Sequence, residues 1–145
     1  LVPLHRELEL LDAYAALMCA RFEGRVHYSL DADPLAAACP VPALCLQPLL
    51  ENAFVHGVER HSGVTDVRVR VRRESTSVIV QVENEGPIGN AAPPTGPVQP
   101  DAAPGVGLAN VRERLAALWG PAAHLSLKLS PGGGALVTLE MPCAC

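Results

Sequence analysis

The chain has 145 residues, enough for one domain with one core, and its 49% hydrophobic residues include only 3% aromatic ones, so Val, Leu and Ala must build that core. No apolar run reaches the roughly 18 residues that a bilayer-spanning helix needs, and no basic segment leads into a short apolar one as in a signal peptide. Eleven basic against fifteen acidic residues leave a net charge of −4, which argues against duplex nucleic acid as a partner.

The chain opens at Leu1 rather than at a methionine, as expected of a piece of a longer protein whose remainder has room for a membrane anchor. Its five cysteines, Cys19, Cys39, Cys45, Cys143 and Cys145, are odd in number and show no CxxC spacing. They read as reduced thiols rather than as a zinc site or a disulfide framework, with Cys143 and Cys145 in a frayed tail.

Residues 4–22 predict a helix. Leu4, Leu8, Leu11, Ala15 and Met18 recur at helical spacing, with Glu7, Glu9 and Asp12 elsewhere on the wheel. Pro3 suits its start and Gly24 its end. Val26, Tyr28 and Leu30 alternate with polar residues as in a strand. Asp31-Ala32-Asp33-Pro34 reads as a turn, and a second short strand is expected around residues 37–39. Residues 42–59 read as a second helix. Leu46, Leu49, Leu50, Ala53, Phe54 and Gly57 share one arc, and Glu51, Asn52, Val55, His56 and Glu59 the other. Pro48 removes a helical hydrogen bond, so the regular helix either starts near it or is kinked there.

Val67, Val69 and Val71 alternate with Arg68, Arg70 and Arg72, and Val78, Val80 and Val82 repeat the pattern after a turn at Glu74-Ser75. This is a hairpin with one wet face, and the arginine stripe is a solvated sheet face before it is a phosphate site. From Glu85 to Gly105, prolines and glycines erase the periodicity, and a loop of this length is expected to be functional or disordered. Residues 107–119 are helical again, with Leu108, Val111, Leu115 and Leu118 on one face. Residues 122–130 and 134–141 form a second hairpin. The order predicts an α/β two-layer sandwich: a mixed, mostly antiparallel sheet covered on one face by three helices, as a single domain over 1–145.

Three segments carry the chemistry. Leu46 to Gly57 sets Glu51, Asn52 and His56 on the polar arc of a core-facing helix, where a carboxylate beside a carboxamide suits a hydrated divalent cation. Glu83-Asn84-Glu85-Gly86-Pro87 ends a strand, where a polar side chain could read a base edge and Gly86 lets a flat ligand approach. Gly105-Val106-Gly107-Leu108-Ala109-Asn110 opens a helix whose free N–H groups suit phosphate. Each segment alone is also read as ordinary: a wet helix face, a strand exit, a loop exit.

In this order the set resembles the ATP-binding domain of sensor histidine kinases, a superfamily shared with gyrase, MutL and the ninety-kilodalton heat-shock proteins. It is most similar to the LytS-type pattern of LQPLxENAxxHG, then GxGLxNxxxRL, then a terminal strand like GGTxVxLxxP. Those patterns match Leu46 to Gly57, Gly105 to Leu115 and Gly133 to Pro142, and Tyr14 with Arg21-Phe22 matches the family's opening helix. The resemblance implies the Bergerat-type fold, ATP and Mg²⁺. It makes Asn52 the metal ligand, Glu51 the carboxylate beside water or the γ-phosphate, and His56 a neighbour of the phosphates. It puts Asn84 and Gly86 against adenine, Gly105, Gly107 and Leu108 at the phosphates, and an ATP lid at about 85–105. The family has an aspartate where Asn84 stands and often a lysine where Val55 stands, which implies weakened nucleotide binding.

The resemblance further implies transfer of the γ-phosphate to a histidine on a dimerisation domain outside this chain, and a response regulator downstream. None of His5, His27, His56, His61 and His124 is expected to be the acceptor, so the chain alone should autophosphorylate negligibly. A cytoplasmic domain of a protein anchored in the inner membrane is the implied setting. The alternatives are an ATP-driven conformational switch of the gyrase and MutL kind, or a degenerate module that only docks partners.

Overall fold

The computed structural model describes residues 1–55, 63–85, 106–129 and 134–143. After the two-residue strand β1 (Val2–Pro3), helix α1 (Leu4–Arg21) buries Leu4, Glu7, Leu11, Ala15 and Met18, a stripe at three- and four-residue spacing. Leu8, expected in that stripe, is only half-buried, and Glu7, expected on the wet side, is inside. The helix ends at Phe22, and Gly24 then takes the left-handed conformation (φ +76°) that turns the chain into the sheet.

Strand β2 (Val26–Ala32) runs to Ala32, overriding the turn expected at 31–34, because it pairs in parallel with the next long strand as far as Ala32 opposite Val71. Asp33 caps a 3₁₀ turn over Pro34–Ala36 by accepting from Leu35 N–H at 3.0 Å, and its other oxygen accepts from Arg73 N–H at 3.2 Å. The strand expected at 37–39 is therefore replaced by this turn and by β3 (Pro40–Val41), which pairs with β1. Helix α2 (Gln47–Ala53) starts later than the expected residue 42, and Phe54 and Val55 continue it in helical conformation. Pro48 lies in its first turn, where a missing N–H costs nothing, so the helix starts at Gln47, beside Pro48, rather than bending there. Residues beyond 55 in the expected helix lie outside the described residues.

Strands β4 (Thr65–Glu74) and β5 (Ser77–Glu85) form the expected hairpin. Helix α3 (Val106–Trp119) buries Leu108, Val111 and Leu115. Leu118, expected on that face, is 49% exposed, and Trp119 packs on the core in its place at the last turn. Strands β6 (His124–Leu129) and β7 (Ala135–Pro142) form the second hairpin. The sheet order is β2-β4-β5-β7-β6, parallel only between β2 and β4. Helix α1 packs on β2, α2 on β5, and α3 on β6 and β7, which is the expected sandwich. On the outer face the arginine stripe is partly neutralised: Arg68 bridges Glu85 at 2.8 Å and Glu83 at 3.6 Å.

The cysteines correct the sequence reading. Cys39 and Cys143 form a disulfide, with their Cα atoms 5.6 Å apart, while Cys19 and Cys45 are free thiols. Cys143 is buried rather than frayed, because its N–H donates to the Thr76 carbonyl at 2.8 Å and its carbonyl accepts from Arg73 Nη2 at 2.8 Å. The partners lie 104 residues apart, so spacing along the chain held no signal for this pair.

Glu7 accepts from the backbone N–H of Cys45 at 3.0 Å, tying α1 to the segment that leads into α2. Burial first, and then the Glu7 carboxylate, push the Cys45 thiol up to about 12 from 9.0. Above pH 9 the unfolded chain gives up this proton while the folded chain keeps it. Stability should therefore fall by about 1.4 kcal/mol per pH unit between 9 and 12 from this group. Tyr28, raised by burial and then by Asp12, adds to the slope above pH 10. Thermal melts at pH 8 and 10.5 should show the lower Tm at pH 10.5, and Cys45→Ala should flatten the difference. An unchanged Tm would contradict the argument.

Candidate functional site

The expected site rests on α2, the end of β5 and the start of α3, and the fold brings these elements together. Helix α2 packs on both β5 and α3. Leu46, Leu49, Leu50, Ala53 and Phe54 face the core, which leaves Glu51 and Asn52 half-buried at the helix edge. Gln47 Nε2 donates to Glu51 Oε1 at 3.0 Å across one helical turn and so holds that carboxylate along the helix.

Gly107 lies in the first turn of α3. A Cβ on it would meet Pro48 Cβ at 3.5 Å, so α3 starts beside the first turn of α2. The N–H groups opening α3 have no partner within their own helix, which gives that end its attraction for anions. The side chain of Leu108 is buried in the core, so only its backbone N–H is available to a ligand. Arg112 Nη2 donates to the Leu125 carbonyl at 2.8 Å and Arg114 Nη2 to the Ala43 carbonyl at 2.6 Å. These bonds pin α3 to β6 on one side and to the segment before α2 on the other.

Asn84 lies on the helix-covered face of β5, in line with Val78, Val80 and Val82, and is 1% exposed. Its cross-strand neighbours are Val67 on β4 and Ala135 on β7. Its Nδ2 is buried and, among the described residues, has no hydrogen-bond partner. An orphaned amide of this kind costs about 1–3 kcal/mol, which a ligand acceptor would recover. Thr65 Oγ1, on the same face of β4, is also buried and unpartnered among the described residues. Period-two alternation marks residues 65 and 84 as inward-facing, but only the assembled sheet shows that the strand neighbours of Asn84, Val67 and Ala135, are both apolar. Glu7 could have been found on the wheel, since it lies three residues after Leu4 and four before Leu11.

His56, Gly86 and Gly105, and residues 86–105 of the expected lid, lie outside the described residues. A hollow of about 260 Å³ opens at the Asn84 end of the sheet. Its described lining takes Asn84, Ala135 and Leu129 from the helix-covered side of β5, β7 and β6 together with the outward-facing Glu83, Glu85, Lys128 and Leu136, so the hollow reaches Asn84 around the end of the sheet.

An α/β sandwich with this strand order is the fold found in histidine-kinase catalytic domains. The catalytic domain of the histidine kinase ThkA shares the fold with a TM-score of 0.67 at 15% identity, covering 98% of this chain and 95% of that one. In sequence, the sensor protein LytS of Bacillus subtilis is 31% identical over 98% of this chain and 25% of its own length. The sensor histidine kinase YesM of the same organism is 29% identical over 99% of this chain and 24% of its own. No protein-family model matches. The chain is homologous to the sensor histidine kinases and has the fold of their catalytic domains; it spans about a quarter of the length of these relatives.

Proposed function

We propose that this chain binds Mg²⁺-ATP and positions its γ-phosphate for transfer to an imidazole nitrogen of a histidine on a dimerisation domain outside the chain. The observation that supports this most is the buried Nδ2 of Asn84, unpartnered among the described residues, on β5, the strand against which the helix carrying Glu51 and Asn52 packs. It is a polar group with no structural use at the place where a base would seat.

Phosphoryl transfer needs alignment and charge neutralisation more than covalent help from the protein. Asn52 and Glu51 offer oxygen donors, the type Mg²⁺ takes, so the residues fit the ion. When bound, Mg²⁺ would neutralise phosphate charge, with Asn52 as the protein ligand. Glu51, held by Gln47, would orient water or the attacking group near the γ-phosphate. The first N–H groups of α3 would hold phosphate oxygens, and Asn84 would pair with the base edge. His56, Gly86 and Gly105 keep the roles that the family resemblance implies. The partners would be the acceptor domain of the same kinase and a response regulator, with this domain on the cytoplasmic side of a membrane-anchored protein. Among the described residues no helix is long and apolar enough to cross a membrane.

Calorimetric titration tests the proposal. The unsubstituted chain should bind Mg²⁺-ATP. Asn52→Ala should weaken that binding by roughly 100-fold or more, with Tm shifted by only about 1 °C because the side chain lies off the core. A separately produced acceptor domain added with ATP should then gain acid-labile phosphohistidine. No binding by the unsubstituted chain, or unchanged binding by Asn52→Ala, would overturn the assignment.

A further inference from the structure

Resting on that nucleotide reading, we infer that Asn84 makes this a site for both 6-amino and 6-oxo purine nucleotides rather than for adenine alone. Its buried carboxamide lies between Val67 and Ala135 across the strands, neither of which has a side-chain polar atom. Among the described residues its Nδ2 has no partner. Nothing across the strands therefore dictates which end of the amide points toward a ligand.

A carboxamide carries an acceptor and a donor side by side. With Oδ1 toward an exocyclic amine and Nδ2 toward the adjacent ring nitrogen, it pairs with the N6–H and N1 of adenine. Turned by half a rotation, Nδ2 donates to O6 and Oδ1 accepts from N1–H of a hypoxanthine or guanine ring. Both arrangements satisfy the orphaned donor, and two-bond pairing of an amide with adenine is a common mode of base reading. A carboxylate at this position could accept from the adenine amine but would set an anion against O6. The acidic side chains at the same strand end, Glu83 and Glu85, belong to the outer face, where Arg68 engages both. They do not supply that discrimination.

Inosine triphosphate is the informative probe, because its ring differs from adenine only around the 6-position and lacks the 2-amino group of guanine. Isothermal titration of the unsubstituted chain with Mg²⁺-ATP and Mg²⁺-ITP should give dissociation constants within about ten-fold of each other. Asn84→Asp should widen the preference for ATP to roughly 100-fold or more. The ratio on the unsubstituted chain decides the matter without any variant. Binding of ATP with ITP rejected by roughly 100-fold would overturn this inference and leave the ATP reading standing. Binding of neither nucleotide would overturn both.

Discussion

Reduction of the Cys39–Cys143 bond should lower the melting temperature by about 13–17 °C. The bond closes a loop with a sequence separation of 104 residues. On the chain-entropy account a loop of that size stabilises by about 4–5 kcal/mol, since the unfolded chain loses most of its freedom to separate the two ends. For a chain of this length an unfolding entropy of about 0.3 kcal/mol/K converts that loss into the stated shift. The bond joins the segment between the 3₁₀ turn and β3 to the residue after β7, so it fastens the end of the central β5–β7 ladder to the start of the chain. Arg73 reaches both partners, donating to Cys39 Sγ at 3.4 Å and to the Cys143 carbonyl. The Cys39 carbonyl accepts from the Leu4 N–H that opens α1. Melts of the oxidised chain with and without dithiothreitol measure the shift, and Cys39→Ala/Cys143→Ala should no longer respond to the reductant. The same Tm in both conditions would sink the prediction.

Phe54→Ala should destabilise the domain by about 3–5 kcal/mol. The chain has only two Phe, two Tyr and one Trp, and three of these rings meet at this residue. Phe54 is fully buried at the end of α2, edge-on to Tyr14 at 6.1 Å between centroids and stacked on Phe22 at 6.4 Å. Removing its ring opens a cavity where α1 meets α2, in a core built mainly of aliphatic side chains. Urea unfolding should show a lower midpoint at nearly unchanged slope, and Phe54→Leu should recover much of the loss. Because Phe54 follows Asn52 by two residues, the Ala variant should also weaken Mg²⁺-ATP binding under conditions where it stays folded. A midpoint within experimental error of the unsubstituted chain would refute the packing argument.

Much of the architecture was legible beforehand because it rests on periodicity. Alternating valines placed β4 and β5, three- and four-residue spacing placed α1 and α3, and Pro48 marked the first turn of α2. The errors arose where distant partners outweigh local pattern. Asp33 turned the 34–39 segment by bonding Leu35 and Arg73, the latter 40 residues away. The pairing of β1 with β3 depends on the first residues of the chain meeting residues 40–41. Glu7 looked like a surface carboxylate until the N–H of Cys45 gave it a buried use.

The candidate site divides in the same way. Residue order alone determined the class of fold, the segments proposed to carry the chemistry and the likeness to histidine kinases, because hydrophobic period and motif spacing are properties of neighbours along the chain. Only the tertiary structure decided that Asn84 is enclosed with its amide unpartnered, that Gly107 starts α3 against Pro48, that the Leu108 side chain belongs to the core, and that Cys39 meets Cys143. Those facts depend on which strands lie side by side and which helix covers them, and such contacts form between residues that no local pattern relates.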